Sequence, residues 1–151
     1  MENPLLELQE YENLLEALKK AKGPLQAAGT LESQKVHLMH ELGEDGGFPW
    51  KLVVTYDEQR AKEIYDDFRS FTKQVWLYPA KDLLFYAADI HGNLMTRQRI
   101  CVLRHLMEDE GGVVVTTVDG LMDHLMPLAF LKQNAVTVEC GQVIDLDEWK
   151  E

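Results

Sequence analysis

Leu5, Leu8, Tyr11, Leu14, Leu15 and Leu18 recur at three- and four-residue intervals, so residues 5–21 predict an amphipathic helix. Gly23 and Pro24 stop it. Residues 25–28 read as a first strand and 33–42 as a second helix, followed by a turn-rich break over 43–47. The run 51–56 is short, apolar and rich in β-formers, which predicts a buried strand. Asp57 then suits a helix N-cap, and Ala61, Ile64, Tyr65 and Phe68 mark the inward stripe of that helix. A third strand is expected over 74–78, a long connection over 79–93 and a helix over 94–107. The fourth strand, 112–117, carries three consecutive valines and predicts burial on both faces. Short helical pieces over 118–125 and 128–133 are split by Pro127. Residues 135–139 and 142–144 pattern as a hairpin around Gly141, with Asp145 or Asp147 capping a last short helix.

Strands that alternate with helices imply an α/β fold, a doubly wound and mostly parallel sheet flanked by helices. The last segment breaks that rhythm. The expected division is one domain over 1–133 and the start of a second, small α+β domain over 134–151, so the sequence reads as part of a longer protein. A chain of 151 residues can bury a sizeable core. Its formal charge of −11 argues against broad electrostatic attachment to nucleic acid or anionic lipid. Cys101 and Cys140 lie in apolar settings with no metal-ligand spacing, which reads as reduced, cytoplasmic thiols. No apolar run is long enough to span a membrane.

Gly29-Thr30-Leu31-Glu32-Ser33-Gln34-Lys35-Val36 has the length and placing of a nucleotide phosphate loop, G-x-x-x-x-G-K-[ST], between a strand and a helix. The first glycine and the lysine are present. Gln34 stands where the second glycine lets the backbone close around phosphate, and Val36 replaces the hydroxyl that holds Mg²⁺. Glu32 adds negative charge where phosphate would sit. The plain alternative is a strand-to-helix turn at Gly29. A divergent nucleotide enzyme using Lys35 on phosphate and Asp119 on Mg²⁺ is the rival reading, although Asp119 fits a helix cap better. His37 and His40, with Glu41, share a helix face but lack a third ligand at a recognised spacing. His91, His105 and His124 are scattered, and Glu108, Asp109 and Glu110 read as a solvated helix end. No metal site and no catalytic set is therefore expected. Leu83, Leu84, Phe85 and Tyr86 form a bulky apolar run that either covers the sheet edge or docks another domain. Arg97, Arg99 and Arg104 give the next helix a basic edge, suited to a carboxylate-rich partner or to internal ion pairs with Asp82 and Asp89.

Taken in order, the helix opening at Pro4, the loop 29–35, the run 52–57 with Ala61, Tyr65 and Phe68, the proline–aromatic stretch 79–86, Thr96 to Arg99 with Val102 and Leu103, and 113–122 with Pro127 resemble the N-terminal, UvrB-like module of bacterial transcription-repair coupling factor (Mfd). The resemblance implies a UvrB domain 1a-like, degenerate P-loop NTPase fold over 1–133. It also implies that 134–151 begins the second, UvrA-docking domain. UvrB binds ATP at this loop, and the coupling-factor module has lost that site. Gly29, Thr30, Glu32, Ser33, Gln34, Lys35 and Val36 are then vestigial, with no cofactor here. ATP and Mg²⁺ belong to the family's downstream motor, a DNA translocase of helicase superfamily 2. The family recognises stalled RNA polymerase and recruits UvrA, in the cytoplasm. The stretch 86–96 is too short for UvrB's DNA-clamping hairpin, so no direct DNA binding is implied. The module is an inert scaffold that supports UvrA docking and restrains the motor. Leu84, Phe85, Tyr86, Arg97 and Arg99 are its candidate contacts with other domains or partners. A free-standing adapter is the remaining alternative.

Overall fold

Gly112–Thr117 (β3) is buried at every residue, as its valine run demands. In a computed structural model, which describes residues 3–80, 90–108, 110–125, 127–136 and 140–141, β3 is the middle strand of a parallel sheet. Trp50–Thr55 (β1) pairs with one side of it, from Trp50 opposite Gly112 to Thr55 opposite Thr117. Val75–Tyr78 (β2) pairs with the other, from Val75 opposite Val113. The order β1-β3-β2 fixes the layers. The chain crosses from β1 over β3 to β2 through Glu58–Phe68 (α3), then returns inward to β3 through Ile90–Glu108 (α4). Right-handed crossovers travelling in opposite directions must lie on opposite faces, and they do. Ala61, Ile64 and Phe68 of α3 pack with Val75, Val113 and Val115 on one face, joined by Val36 of Glu32–Asp45 (α2). Val102 of α4 packs with Tyr78 and Val114 on the other, with Trp50, Trp76 and Leu106 beside them. Successive side chains of each strand point to opposite faces, which is why Trp76 and Leu77 join different clusters.

The helix signals hold with shifted edges. The Arg60 amide donates to Asp57 Oδ1 at 2.6 Å, so Asp57 caps α3 as its sequence position predicts. The helix α2 runs on through Gly43 to Asp45, and α4 begins at Ile90, inside the stretch expected to be a connection. The first helix is divided. Pro4–Glu7 is a 3₁₀ turn capped by Asn3, Leu8 is extended, and Gln9–Lys20 (α1) follows. Val118–Met122 (α5) is capped by Thr117, whose Oγ1 accepts from the Gly120 amide at 3.1 Å; Asp119 sits exposed inside its first turn rather than at the cap. Leu128–Asn134 (α6) follows Pro127.

Two expectations fail. Residues 25–28 form no strand: 21–31 carry no helix or ladder, and 21–29 are exposed. Leu25 is the one bulky apolar residue in Leu-Gln-Ala-Ala, so the segment has little to pack on a pleated surface. The run 51–56, expected to be buried, lies at a sheet edge. Leu52 is 59% exposed, and Val54 and Tyr56 are open too, because α4 reaches only the β2 side and centre of that face. Cys101 and Cys140 are free and exposed, Cys101 beside Tyr65, Trp76 and Val102. Of the expected C-terminal hairpin only Cys140 and Gly141 are described, as a turn with Gly141 at φ 94°; the flanking strands and the last helix lie outside the described residues.

Tyr11 is the buried residue of α1 and ties it to α2. Its hydroxyl donates to Asp45 Oδ2 at 2.6 Å, and Asn3 Nδ2 donates to the same carboxylate oxygen at 2.7 Å. Burial, then the Asp45 carboxylate, hold the phenol far above its ordinary range. Tyr11→Phe removes the donor but leaves Asp45 its Asn3 partner. The expected loss is about 1 kcal/mol in urea denaturation, the net value of one hydrogen bond to a charged group that retains another.

Candidate functional site

Segment 29–36, which spells part of a phosphate-loop motif without a strand before it, is the sequence feature with a chemistry to test, and the structure fixes how its residues stand. Gly29 has φ 88°, a left-handed conformation that glycine adopts without strain, and it turns the irregular stretch toward α2. The helix starts at Glu32, three residues before Lys35. The amides of Gln34 and Lys35 donate to the Leu31 carbonyl at 3.0 and 3.2 Å. A phosphate nest needs such amides free and convergent; here they close the first turn of a helix. Val36 is 1% exposed and packs in the core of the α2–α3 face. Its side chain supplies apolar volume at the position where a nucleotide loop presents a hydroxyl.

The charges around the helix start pair among themselves. Lys35 Nζ donates to Glu32 Oε1, and Arg60 Nη2 donates to Glu32 Oε2. Arg60 Nη1 reaches Glu63 Oε2 at 2.9 Å. The Lys35 hydrogen bond first, and then the charges of Lys35 and Arg60, hold the Glu32 carboxyl below the ordinary glutamate range. A carboxylate at the first residue of a helix also meets the positive end of its dipole. Glu32 thus stands where an anionic ligand of Lys35 would stand. A depression of about 480 Å³ opens beside it, floored by Val36, Met39 and Ile64 and rimmed by Glu32, Lys35, Tyr56 and Arg60. Arg60 lies 28 positions from Glu32, and no local spacing announces the pair.

The exits of the strands are tied by another acid. Glu58 Oε1 accepts from the Ala80 amide at 2.8 Å and from Thr117 Oγ1 at 3.4 Å, joining the ends of β2 and β3 to the first residue of α3. Ligands of α/β sheets commonly enter at these carboxyl ends, and Glu58 stands there with internal partners. His37 stacks on Phe71 with ring centres 5.4 Å apart, and His40 meets the same ring at 5.2 Å and an angle of 30°, so both contribute packing.

The basic edge of α4 is divided by its geometry. Arg97 is exposed, and Arg104 Nε lies 3.5 Å from Glu108 Oε1. Arg99 points inward and is 7% exposed. Its Nη1 donates to the Pro79 carbonyl at 2.8 Å and stands 2.8 Å from Asp123 Oδ2, a contact that is electrostatic rather than a well-aligned hydrogen bond. The guanidinium also lies 4.3 Å from the Tyr78 ring centre. The internal partner is Asp123; Asp82 and Asp89 lie outside the described residues, as do Leu84, Phe85 and Tyr86. An open apolar groove of about 290 Å³ does appear elsewhere, between Leu52 of β1, Leu106 of α4, Leu121 of α5 and Leu125 beyond it.

Part of this chain is similar to a small part of transcription-repair-coupling factors. It is 26% identical over 98 residues to the factor of Staphylococcus epidermidis, 23% over 100 residues to that of Staphylococcus haemolyticus and 22% over 100 residues to that of Staphylococcus aureus. These stretches cover 64–65% of the chain but 8–9% of the relatives, so the matched part spans less than a tenth of their length. No protein-family model matches, and no solved structure does. Among the described residues, no helix is long and apolar enough to cross a membrane.

Proposed function

We propose that this chain is a non-catalytic scaffold and interaction module of the transcription-repair coupling kind. It supports UvrA recruitment and restrains a neighbouring motor during transcription-coupled nucleotide excision repair in the cytoplasm. The observation that carries the reading is Glu32, which pairs with Lys35 and Arg60 at a helix start whose amides are already engaged. A triphosphate would have to displace that carboxylate and unwind the first turn of α2. The vestigial loop, a UvrB-like ancestry and the division of the chain at residue 134 belong to the same reading. The open groove at Leu52, Leu121 and Leu125 supports an interaction role, since such apolar surface on a parallel sheet is ordinarily covered. The charge of −11 supports protein rather than DNA contacts. Cofactors, RNA polymerase binding and translocation belong, on this reading, to other parts of a longer protein.

Calorimetric titration with ATP and Mg²⁺ tests the inert loop: the expected result is no saturable heat at millimolar nucleotide. Micromolar binding that Lys35→Ala abolishes establishes the divergent nucleotide-binding reading instead. Retention of purified UvrA on the immobilised chain tests the partner. Its absence, with the chain folded by circular dichroism, removes UvrA from the proposal and leaves the inert scaffold.

A further inference from the structure

Beyond the loop and the groove, one cluster of side chains has the composition of a metal site. His105, Glu108 and Glu110 each offer a ligand atom, and among the described residues these atoms lie within 4.8 Å of one another. His105 Nδ1 is 3.5 Å from Glu108 Oε2 and 3.7 Å from Glu110 Oε2. A point equidistant from atoms so spaced lies roughly 2–2.4 Å from each, close to zinc–nitrogen and zinc–oxygen lengths.

The imidazole adds a second sign. His105 Nδ1 is a buried atom with no hydrogen-bond partner, and buried polar atoms in native proteins are nearly always satisfied, with an ion among the recognised explanations for an exception. Both carboxylates lie at ion-pair distance from it, without a well-aligned hydrogen bond, so an ion held between them would satisfy all three groups. The ring is held in place. It stacks on Trp76 of β2 with centres 4.5 Å apart and an angle of 27°, and its side chain is 20% exposed.

Each carboxylate is also placed by its element. Glu108 is the last residue of α4 and lies one helical turn beyond His105, on the same face. Its other oxygen faces Arg104, so one oxygen remains for an ion. Glu110 precedes Gly111 and Gly112, at φ 74° and 143°, whose conformations bring the chain sharply from α4 into β3. A Cβ on Gly111 would lie 2.8 Å from the Pro49 carbonyl oxygen, and the Gly112 amide donates to that oxygen at 2.7 Å. This turn fixes Glu110 relative to the sheet.

We propose that His105, Glu108 and Glu110 bind one divalent transition-metal ion of the zinc class. One imidazole nitrogen and two carboxylate oxygens suit such an ion better than Ca²⁺ or Mg²⁺, which prefer all-oxygen shells. A water completes the set. The site is a structural clip that ties the last turn of α4 to Glu110, at the entry to the turn before β3, beside Trp76.

The test is titration of Zn²⁺ into the chelator-treated, full-length chain in a Cys101→Ser/Cys140→Ser background, so that the two exposed thiols do not compete. Tryptophan emission reads the site through the Trp76–His105 stack, and Co²⁺ substitution reads its coordination through visible absorption. Saturable binding of one equivalent is expected, with a tetrahedral-type Co²⁺ band and a rise in Tm that saturates with it. Glu108→Gln and Glu110→Gln, both at exposed side chains, should each weaken binding by roughly tenfold or more. His105→Gln should abolish it. These glutamine variants keep the test decisive if His105→Gln fails to fold. The proposal is overturned if no saturable binding occurs, if both glutamine variants bind as the parent does, or if binding disappears with His37→Gln or His40→Gln instead.

Discussion

Changing Gln34 to glycine and Val36 to threonine is expected to destabilise the protein by about 1.5–3 kcal/mol and to produce no ATP hydrolysis. Val36 is enclosed by the cluster that includes Ala61, Ile64, Phe68 and Val115. Threonine places a hydroxyl there with no partner except its own helix backbone, at a cost of about 1–2 kcal/mol. Glycine in the first turn of α2 adds about 0.5–1 kcal/mol through backbone entropy. The double variant gives the segment the letters of a phosphate loop while leaving Glu32 between Lys35 and Arg60. Urea denaturation followed by circular dichroism gives the stability, and a phosphate-release assay gives the turnover. Robust hydrolysis, or a double variant as stable as the parent, contradicts the account of α2. Adding Glu32→Gln to the pair tests the remaining obstacle, because it weakens the carboxylate's hold on the two cations without changing its shape.

The second large effect belongs to Arg99. Arg99→Met is expected to lose about 3 kcal/mol, since breaking a buried ion pair from one side leaves a charge without its partner. Asp123 is 25% exposed and regains some solvent, which keeps the loss toward the lower end of that class. The variant also strips a donor from the Pro79 carbonyl and a cation from the Tyr78 ring. Burial raises the Tyr78 phenol's pKa and the Arg99 charge opposes that rise, so the variant should push it higher still, which an ultraviolet titration of the folded protein reads. Arg99→Met with Asp123→Leu should recover much of the stability, because the unpaired charge is then gone. Arg97→Ala, on the solvent side of the same helix, should change stability by less than about 0.5 kcal/mol. Equal losses at 97 and 99 would mean that α4 is rotated away from the orientation that turns Arg99 inward.

Much of the fold was legible along the chain because local rules govern it. The valines of β3 have to be buried, Asp57 has to cap the helix that begins beside it, and the stripe through Ala61, Ile64 and Phe68 has to face a sheet. The strand expected over 25–28 shows the limit of such reading, since a strand exists only by pairing and that segment finds no ladder. The edge placing of β1 was equally hidden: its composition matches a buried strand, and only the order β1-β3-β2 leaves Leu52 and Val54 uncovered. In segment 29–36, Gln34 and Val36 at the glycine and hydroxyl positions of a phosphate-loop pattern could be read directly, and so could the sign of Glu32. Arg60 could not, because its approach depends on how α3 lies against α2. His105 reads as one of three scattered histidines, and Glu108 and Glu110 as a solvated helix end, until the structure places Glu110, just before the Gly111–Gly112 turn, beside the ring stacked on Trp76.

By itself the sequence determined three of the four strands expected up to residue 117, the helices between them, the inward stripe of α3 and the presence of Gln34 and Val36 where a phosphate loop has glycine and a hydroxyl. These stem from period, propensity and side-chain chemistry, all of which act over a few residues. Only the tertiary structure decided which strand lies at the edge, which arginine of α4 turns inward and which cations Glu32 holds. Those outcomes depend on the packing of segments distant in the chain, where burial and electrostatics act through space rather than along the backbone.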